Sequence, residues 1–150
     1  PAFDLLIVSA PAPQAAALLA PVNAAARSVC DRATYAPCWA ALFAVPAGSL
    51  GNVRSGPVEA DPAISWIGRS LDRQPENVRA GEFESLVIHA SAAWSRAHLE
   101  RSPEEILELL KPRLAARLGV PLHPVYEAAH RWRYAIVDQP ALRGAHSPCA

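Results

Sequence analysis

The sequence predicts an α+β protein in which an antiparallel sheet of about four or more strands has helices packed on one face. Three segments with β-like patterns, Tyr35–Val45, Ile64–Leu71 and Phe83–Ala90, follow one another without a helical pattern between them. Consecutive strands that lack intervening helices pair antiparallel. An amphipathic helix then precedes a fourth alternating segment, Val125–Val137. The helix can therefore cover one face of the sheet.

Composition excludes several classes of protein. The chain has 150 residues, 51% of them hydrophobic and 19% charged, with 14 Lys plus Arg against 14 Asp plus Glu. Such a chain can bury a core and is neither disordered nor polycationic. We therefore expect no nucleic-acid partner and no anionic membrane surface. No run approaches the roughly 20 apolar residues of a membrane span, so we expect no membrane insertion either.

The three cysteines, Cys30, Cys38 and Cys149, are an odd number without C-x-x-C spacing. This usage disfavours a disulfide scaffold or a closed zinc site and predicts a reducing compartment. We therefore expect a cytoplasmic protein.

The chain begins with a continuous apolar run, Phe3–Val8, which is typical of a strand buried on both faces. We expect this strand to be poorly paired within residues 1–150, because it suits a sheet outside them. The chain also lacks methionine, and we expect it to be a piece of a longer protein. Gln14–Leu19 and Val22–Arg32 predict two short Ala-rich helices separated by Pro21.

Alternation assigns the faces of the next strands. In the first of the three it puts Trp39, Ala41, Phe43 and Val45 on one face. In the second it puts Ile64, Trp66 and Gly68 on one face and Ile67, Arg69 and Leu71 on the other.

The clearest local signal is the start of a helix at Ser102. This residue can cap the helix, Pro103 suits its first position, and Glu105 completes a capping box. Leucines at positions 107, 110, 114 and 118 give one apolar stripe, and Gly119 ends the element. Pro112 removes one backbone hydrogen bond and is expected to kink the helix.

Motifs of self-contained catalysis are missing from the sequence. It contains no G-x-G-x-x-G, G-x-x-x-x-G-K-[ST], G-x-S-x-G or H-E-x-x-H. The five histidines, His89, His98, His123, His130 and His146, never fall at the i, i+4 spacing that suits a metal on a helix. We expect no metal site.

Three features remain as candidate sites. In the segment 130–134, His130, Trp132 and Tyr134 share one strand face, with two arginines opposite. They are either core residues backed by solvated arginines or an aromatic wall for a planar ligand. His89 lies in an apolar strand as a hydrogen-bonded core residue or a site residue. Trp39 and Trp66 either belong to the core or line a pocket.

A collinear series of segments resembles renalase-like flavoproteins of the FAD-dependent amine oxidase superfamily. The series comprises FDLLIVSAPAP at 3–13, the strand Pro37–Val45, ISWIGR at 64–69, SLVIHA at 85–90, WS at 94–95, LE at 99–100, PEE at 103–105 and HRWRYA at 130–135. It covers nearly the whole chain. The resemblance implies the inserted substrate domain of an FAD-linked oxidoreductase. Residues 1–11 then lead from an FAD-binding domain outside this sequence, 12–138 form the substrate-binding α+β domain, and 139–150 connect back.

The resemblance also implies residues near the cofactor. Ala10 and Pro11 lie where the chain passes FAD, and Trp132 stands beside the isoalloxazine with Arg133 next to it. FAD itself is bound mainly by the domain outside this chain. The chain alone is expected to be inactive and not to bind FAD tightly, because it offers no glycine-rich turn at a helix N-terminus for the pyrophosphate.

On the substrate side, the resemblance implies a small-molecule pocket roofed by the sheet face that bears Trp66 or His89, with Trp39 and Ser70 as further candidates. Many relatives carry an Asn and a Lys-Pro pair after the Trp66 strand, where this chain reads SLDRQP at 70–75. The implied reaction is oxidation of an amine or reduced nicotinamide by hydride transfer to FAD, with dioxygen as reoxidant. A noncatalytic α+β ligand-binding or interaction module, or an enzyme with its own site, is the alternative.

Overall fold

A computed structural model describes residues 4–69 and 82–141. The elements in chain order are α1 (Ala12–Leu19), α2 (Ala24–Cys30), β1 (Thr34–Pro46), β2 (Gly56–Pro57), β3 (Ile64–Arg69), β4 (Phe83–Ala90), α3 (Ala92–Ala97), α4 (Pro103–Leu118) and β5 (Tyr126–Gln139). The strands form one antiparallel sheet in the order β2-β3-β4-β1-β5. The predicted α+β class with helices on one face of the sheet is confirmed.

The described residues group into two compact units, Pro37–Arg133 and the residues before and after that range. In the first of these, which we call the sheet unit, β4 lies between β1 and β3 and pairs antiparallel with both. Phe43 lies opposite Leu86 on β4, and Ile67 lies opposite Ile88. The predicted domain boundaries at residues 11 and 138 stay predictions.

A β-bulge in β3 corrects one predicted face. Ile64 pairs with Ala90 but Trp66 already pairs with His89, so Ser65 has no opposite residue on β4. An extra residue shifts the alternation by one position. Ile64 and Ile67 are therefore both buried, and the prediction that Ile64 shares the face of Trp66 is wrong.

The core of the sheet unit lies between one sheet face and α4. The sheet contributes the predicted face of β1 together with residues of β3 and β4: Trp39, Ala41, Phe43, Val45, Ile64, Ile67, Leu86, Ile88 and Ala90. Helix α4 contributes Ile106, Leu107, Leu110 and Leu114. Burying each large aliphatic side chain stabilises the fold by about 1.5–3 kcal/mol, so this stripe holds the helix on the sheet.

The ends of α4 follow the predicted signals. The Ser102 hydroxyl accepts from the Glu105 amide at 3.2 Å, and the Ser102 amide donates to the Glu105 carboxylate at 2.8 Å. The helix ends at Gly119, whose φ of 69° is left-handed. It continues through Pro112 as one element.

Helix α3 has no counterpart among the predicted elements. Ser91 caps it by accepting from the Trp94 amide at 3.2 Å. The buried Ser95 hydroxyl accepts from the Trp39 amide at 3.0 Å, and Trp39 Nε1 donates to the His98 carbonyl at 3.0 Å. The helix thus fixes Trp39 in the core, where that residue is 1% exposed.

A buried ion pair ties the loop after β1 to the sheet. Arg69 Nε donates to Glu84 Oε2 at 2.8 Å, and Glu84 Oε1 accepts from the Leu50 amide at 3.1 Å. Arg69 Nη1 also donates to the carbonyls of Gly51 and Val53, at 2.8 and 3.1 Å. The Glu84 side chain is 0% exposed, and these contacts tie the loop after β1 to both β3 and β4.

The second unit contains α1 and α2, which confirm the two predicted helices. The Tyr35 hydroxyl accepts from the Ala12 amide at 3.1 Å, and the Tyr35 ring meets Tyr134 edge to face at 5.8 Å. The described part of the predicted strand Phe3–Val8, residues 4–8, forms no strand. The expectation that this run is poorly paired within residues 1–150 is therefore confirmed for residues 4–8. Strand pairing needs a neighbour, and the side chains at 5–7 are exposed.

Along the described ranges 4–69 and 82–141, every helix is too short or too polar to span a bilayer.

Candidate functional site

The sheet face opposite α4 carries aromatic side chains. Within the sheet unit, alternation puts Leu42 of β1, Trp66 of β3, Val87 and His89 of β4, and His130 and Trp132 of β5 on this face. We call it the aromatic face. The neighbours of these residues along each strand are turned toward α4 and the core.

Trp66 and His89 lie directly opposite each other on β3 and β4. Side chains at opposite positions of antiparallel strands are in contact range, about 4.5–5.5 Å between Cβ atoms. His89 is exposed, so the interpretation of His89 as a core residue is wrong.

Gly68 makes room for the Trp66 indole. A Cβ placed on Gly68 would meet Trp66 Nε1 at 3.3 Å, which is closer than ordinary contact. The indole therefore lies along β3 over the glycine instead of standing away from the sheet. Sequence reasoning did not assign a role to Gly68, although its position two residues after Trp66 on one strand face was a usable signal.

Trp132 is more than half accessible on this face, with 55% of its surface exposed. The His130 ring meets it edge to face at 4.6 Å. Such aromatic pairs contribute about 0.5–1.5 kcal/mol beyond the burial of area. The pair forms a half-exposed aromatic surface on β5.

The two arginines that flank Trp132 hold the opposite side of β5. Arg131 Nη1 donates to the Leu99 carbonyl at 2.7 Å and to Glu100 at 3.0 Å, and Arg133 Nη2 donates to Glu100 at 2.9 Å. The hydrogen bond from Arg133, with the charges of both arginines, lowers the pKa of Glu100. We call the contacts of Arg131 and Arg133 with Glu100 the Glu100 clamp. Because side chains alternate along a strand, the clamp leaves Trp132 on the aromatic face.

Sequence reasoning missed Glu100. It lies 31 residues from Arg131 in the chain, and no local pattern links them.

The structure places three of the predicted site residues on one face of the sheet. Trp66, His89 and Trp132 share the aromatic face, on β3, β4 and β5. Arg133 lies on the other side of β5 in the clamp with Glu100, so it does not share their face.

The other predicted site residues lie elsewhere. Trp39 belongs to the core on the α4 side, so of its two alternatives, core residue or pocket lining, the first is confirmed. Pro11 is the N-cap of α1 and follows Ala10 in the second unit. Ser70 lies outside the described residues.

The chemistry available on the aromatic face is binding. Flat rings offer apolar contact and stacking to a planar ligand, and the imidazoles of His89 and His130 offer hydrogen-bonding nitrogens. In the described part of the chain, there is no cluster of three or more His, Cys, Asp or Glu side chains that could hold a metal ion.

Comparison with known proteins identifies the fold. No protein-family model matches the chain. A solved structure with a similar fold is a "putative protoporphyrinogen oxidase" from Exiguobacterium sp. 255-15, with a TM-score of 0.66 and 15% sequence identity. The match covers 88% of this chain and 29% of the Exiguobacterium protein. The chain therefore has the fold of a segment, less than a third, of a protein named as an oxidase.

Proposed function

We propose that the chain is the substrate-binding domain of a renalase-like FAD-dependent oxidoreductase. Its aromatic face would cover the flavin ring and form a wall of the pocket for an amine or reduced nicotinamide. The observation that carries the proposal is the half-exposed indole of Trp132 on the same face as Trp66 and His89. The fold shared with an oxidase and the resemblance of the sequence to renalase-like flavoproteins support it.

The residues fit the ring of FAD better than its pyrophosphate. Planar, mostly apolar groups bind against aromatic side chains with a few polar contacts, which matches Trp132, His130, Trp66 and His89. A pyrophosphate is normally held by glycine backbone at a helix N-terminus. In residues 4–69 and 82–141, no helix follows a strand through a glycine-rich turn. The rest of the flavoprotein would bind the pyrophosphate.

The proposed roles follow from position. FAD supplies the acceptor for a hydride from the substrate. Trp132 excludes water from the reacting atoms and limits how the substrate can lie. Trp66 and His89 contact the substrate further along the face, and Gly68 keeps the Trp66 indole flat on the sheet. The Glu100 clamp preserves the orientation of Trp132. The reducing compartment predicted from the cysteines corresponds to a cytoplasmic location.

Replacing Trp132 with Ala in the flavoprotein tests the proposal. A 1 Å error in the position of reacting atoms can slow a reaction about 100-fold, so we expect anaerobic flavin reduction by substrate to slow strongly. Unfolding should change little, because an indole that is 55% exposed contributes less than a core Trp, whose loss costs about 3–5 kcal/mol.

Tyr126→Ala is the matched control. Tyr126 is an exposed aromatic residue on the same side of β5 as Trp132, six positions away along the strand. Its loss should leave the reduction rate unchanged. A Trp132→Ala enzyme with a much lower melting temperature and a normal reduction rate would refute the proposed role. A polypeptide containing this chain that holds no flavin would favour the noncatalytic ligand-binding module instead.

A further inference from the structure

A cleft of about 430 Å³ lies in the sheet unit at the β2 and β3 edge. It is bounded by the loop after β1, by β2, by Ile67 of β3 and by the C-terminal end of α4. Since Ile67 belongs to the core on the α4 side, the cleft lies on the opposite side of the sheet from the aromatic face. Its volume is within the range of small-molecule sites, about 300–1,000 Å³.

The inner part of the cleft is apolar. Leu50 and Ile67 are buried core residues, and Val53, Val58 and Leu118 pack partly buried against the same core. These side chains offer an aliphatic floor to a ligand.

The rim of the cleft is cationic. Arg54 and Arg117 line it, and no acidic residue of the ranges 4–69 and 82–141 does. Both arginines are exposed, and within the described residues neither has an ion pair or a side-chain hydrogen bond. Other arginines of the sheet unit, such as Arg69, Arg101 and Arg131, are engaged by carboxylates. A guanidinium pair without a carboxylate is a typical oxyanion partner.

The backbone adds two donors to the same rim. Arg69 Nη1 draws the carbonyls of Gly51 and Val53 toward itself. In a trans peptide the following N–H points the opposite way, so the amides of Asn52 and Arg54 point away from Arg69. Neither amide has an acceptor among the residues that the structure describes. Asn52 and Arg54 line the cleft, whereas Arg69 lines a neighbouring pocket that these two residues also border.

We propose that this cleft binds a small amphipathic organic anion. A carboxylate of the ligand meets Arg54, Arg117 and the amides of Asn52 and Arg54, and an aliphatic chain lies on the floor that contains Val53, Val58 and Leu118. The proposal is independent of the function of the aromatic face, because the two sites share no residue and lie on opposite sides of the sheet.

Calorimetric titration of the full chain with octanoate tests the proposal. Octanoate should bind with one-to-one stoichiometry, whereas acetate, which lacks the chain, and octan-1-ol, which lacks the charge, should bind at least about tenfold more weakly. The double variant Arg54→Gln with Arg117→Gln should weaken octanoate binding by about tenfold or more, because hydrogen bonds between charged groups are stronger than those between neutral groups. Arg113→Gln, an exposed α4 residue outside the cleft, is the matched control and should bind normally.

A second measurement locates the ligand. In amide-resolved NMR spectra, octanoate should shift the Asn52 and Arg54 signals with the affinity that calorimetry gives and leave Arg113 unmoved. Thermal melts of the variants should match that of the parent chain, which checks that the variants remain folded. The proposal is overturned if octanoate fails to bind at millimolar concentration, if the double variant binds it equally well, or if the two amides do not respond. Inorganic phosphate that binds as tightly as octanoate overturns the amphipathic class of ligand.

Discussion

Removing the charge of Glu84 should destabilise the protein strongly. Glu84→Gln keeps the size of the side chain but leaves the guanidinium of Arg69, whose side chain is 11% exposed, without a counter-charge. Breaking a buried ion pair by removing one partner costs about 3–5 kcal/mol. Arg69 keeps its bonds to the carbonyls of Gly51 and Val53, so we expect a loss near the lower end, about 3 kcal/mol.

The assay is urea unfolding followed by tryptophan fluorescence, supported by thermal melting. For a chain of this size, each kcal/mol lowers the melting temperature by about 2–4 °C, so Glu84→Gln should lower it by about 6–12 °C. Asp31→Asn is the matched control. Asp31 pairs with Arg27 at 3.4 Å on the surface, with side chains 53% and 56% exposed, and such helix pairs contribute only about 0.3–0.5 kcal/mol.

A double replacement separates the charge from the packing. Arg69→Met with Glu84→Leu removes both charges together, and apolar replacement of a whole buried pair is often neutral or stabilising. The double variant should therefore recover much of the stability that Glu84→Gln loses. The reasoning is refuted if Glu84→Gln loses no more than Asp31→Asn.

Three further outcomes are expected. Pro112→Ala should raise the free energy of unfolding by up to about 3 kcal/mol, and with it the urea midpoint, because it restores a backbone donor to the Glu108 carbonyl. An unchanged midpoint would contradict this expectation. Ser102→Ala should lower the free energy of unfolding by about 1 kcal/mol and Ser102→Thr by less, and equal losses in the two variants would count against the cap. Hydrogen bonding to Arg133 lowers the pKa of Glu100 below its ordinary 4.5, so its stabilisation is complete above that value and is lost as pH falls through the lower folded pKa. Glu100→Gln should therefore flatten the change in melting temperature between about pH 6 and pH 3, and a profile identical to that of the parent would contradict the clamp.

Local patterns predicted the elements well where a segment carries its own signals. The capping box at Ser102 and the leucine stripe behind it depend on residues three and four apart, which a sequence displays directly. The alternation of β1 likewise identified Trp39 and Phe43 as neighbours on one face, and both are in the core.

The failures come from interactions between distant segments. Helix α3 is six residues long, too short to be stable by propensity. Its contacts with Trp39 through Ser95 and the His98 carbonyl cross more than 50 residues of chain.

The candidate site shows the same limit. Trp66 and His89 could each be selected as candidates from their strands, yet their direct opposition depends on the register between β3 and β4. Glu100 needed the fold, because only the fold brings it to Arg131 and Arg133.

The bulge at Ser65 makes β3 tolerant of a change in length. Ser65 has no opposite residue on β4, and its hydroxyl donates to the carbonyls of His89 and Ala90, at 3.1 and 3.3 Å. Deleting Ser65 would leave Ile64, Trp66 and Ile67 in simple alternation against the β4 partners they already have, with the loss of the hydrogen bond that the Ser65 carbonyl accepts from the Val58 amide. In a regular strand the loss of one residue turns every later side chain to the other face. Here a single-residue gap in an alignment of related chains would preserve the aromatic face, and Ser65 is the position at which such a gap should be placed.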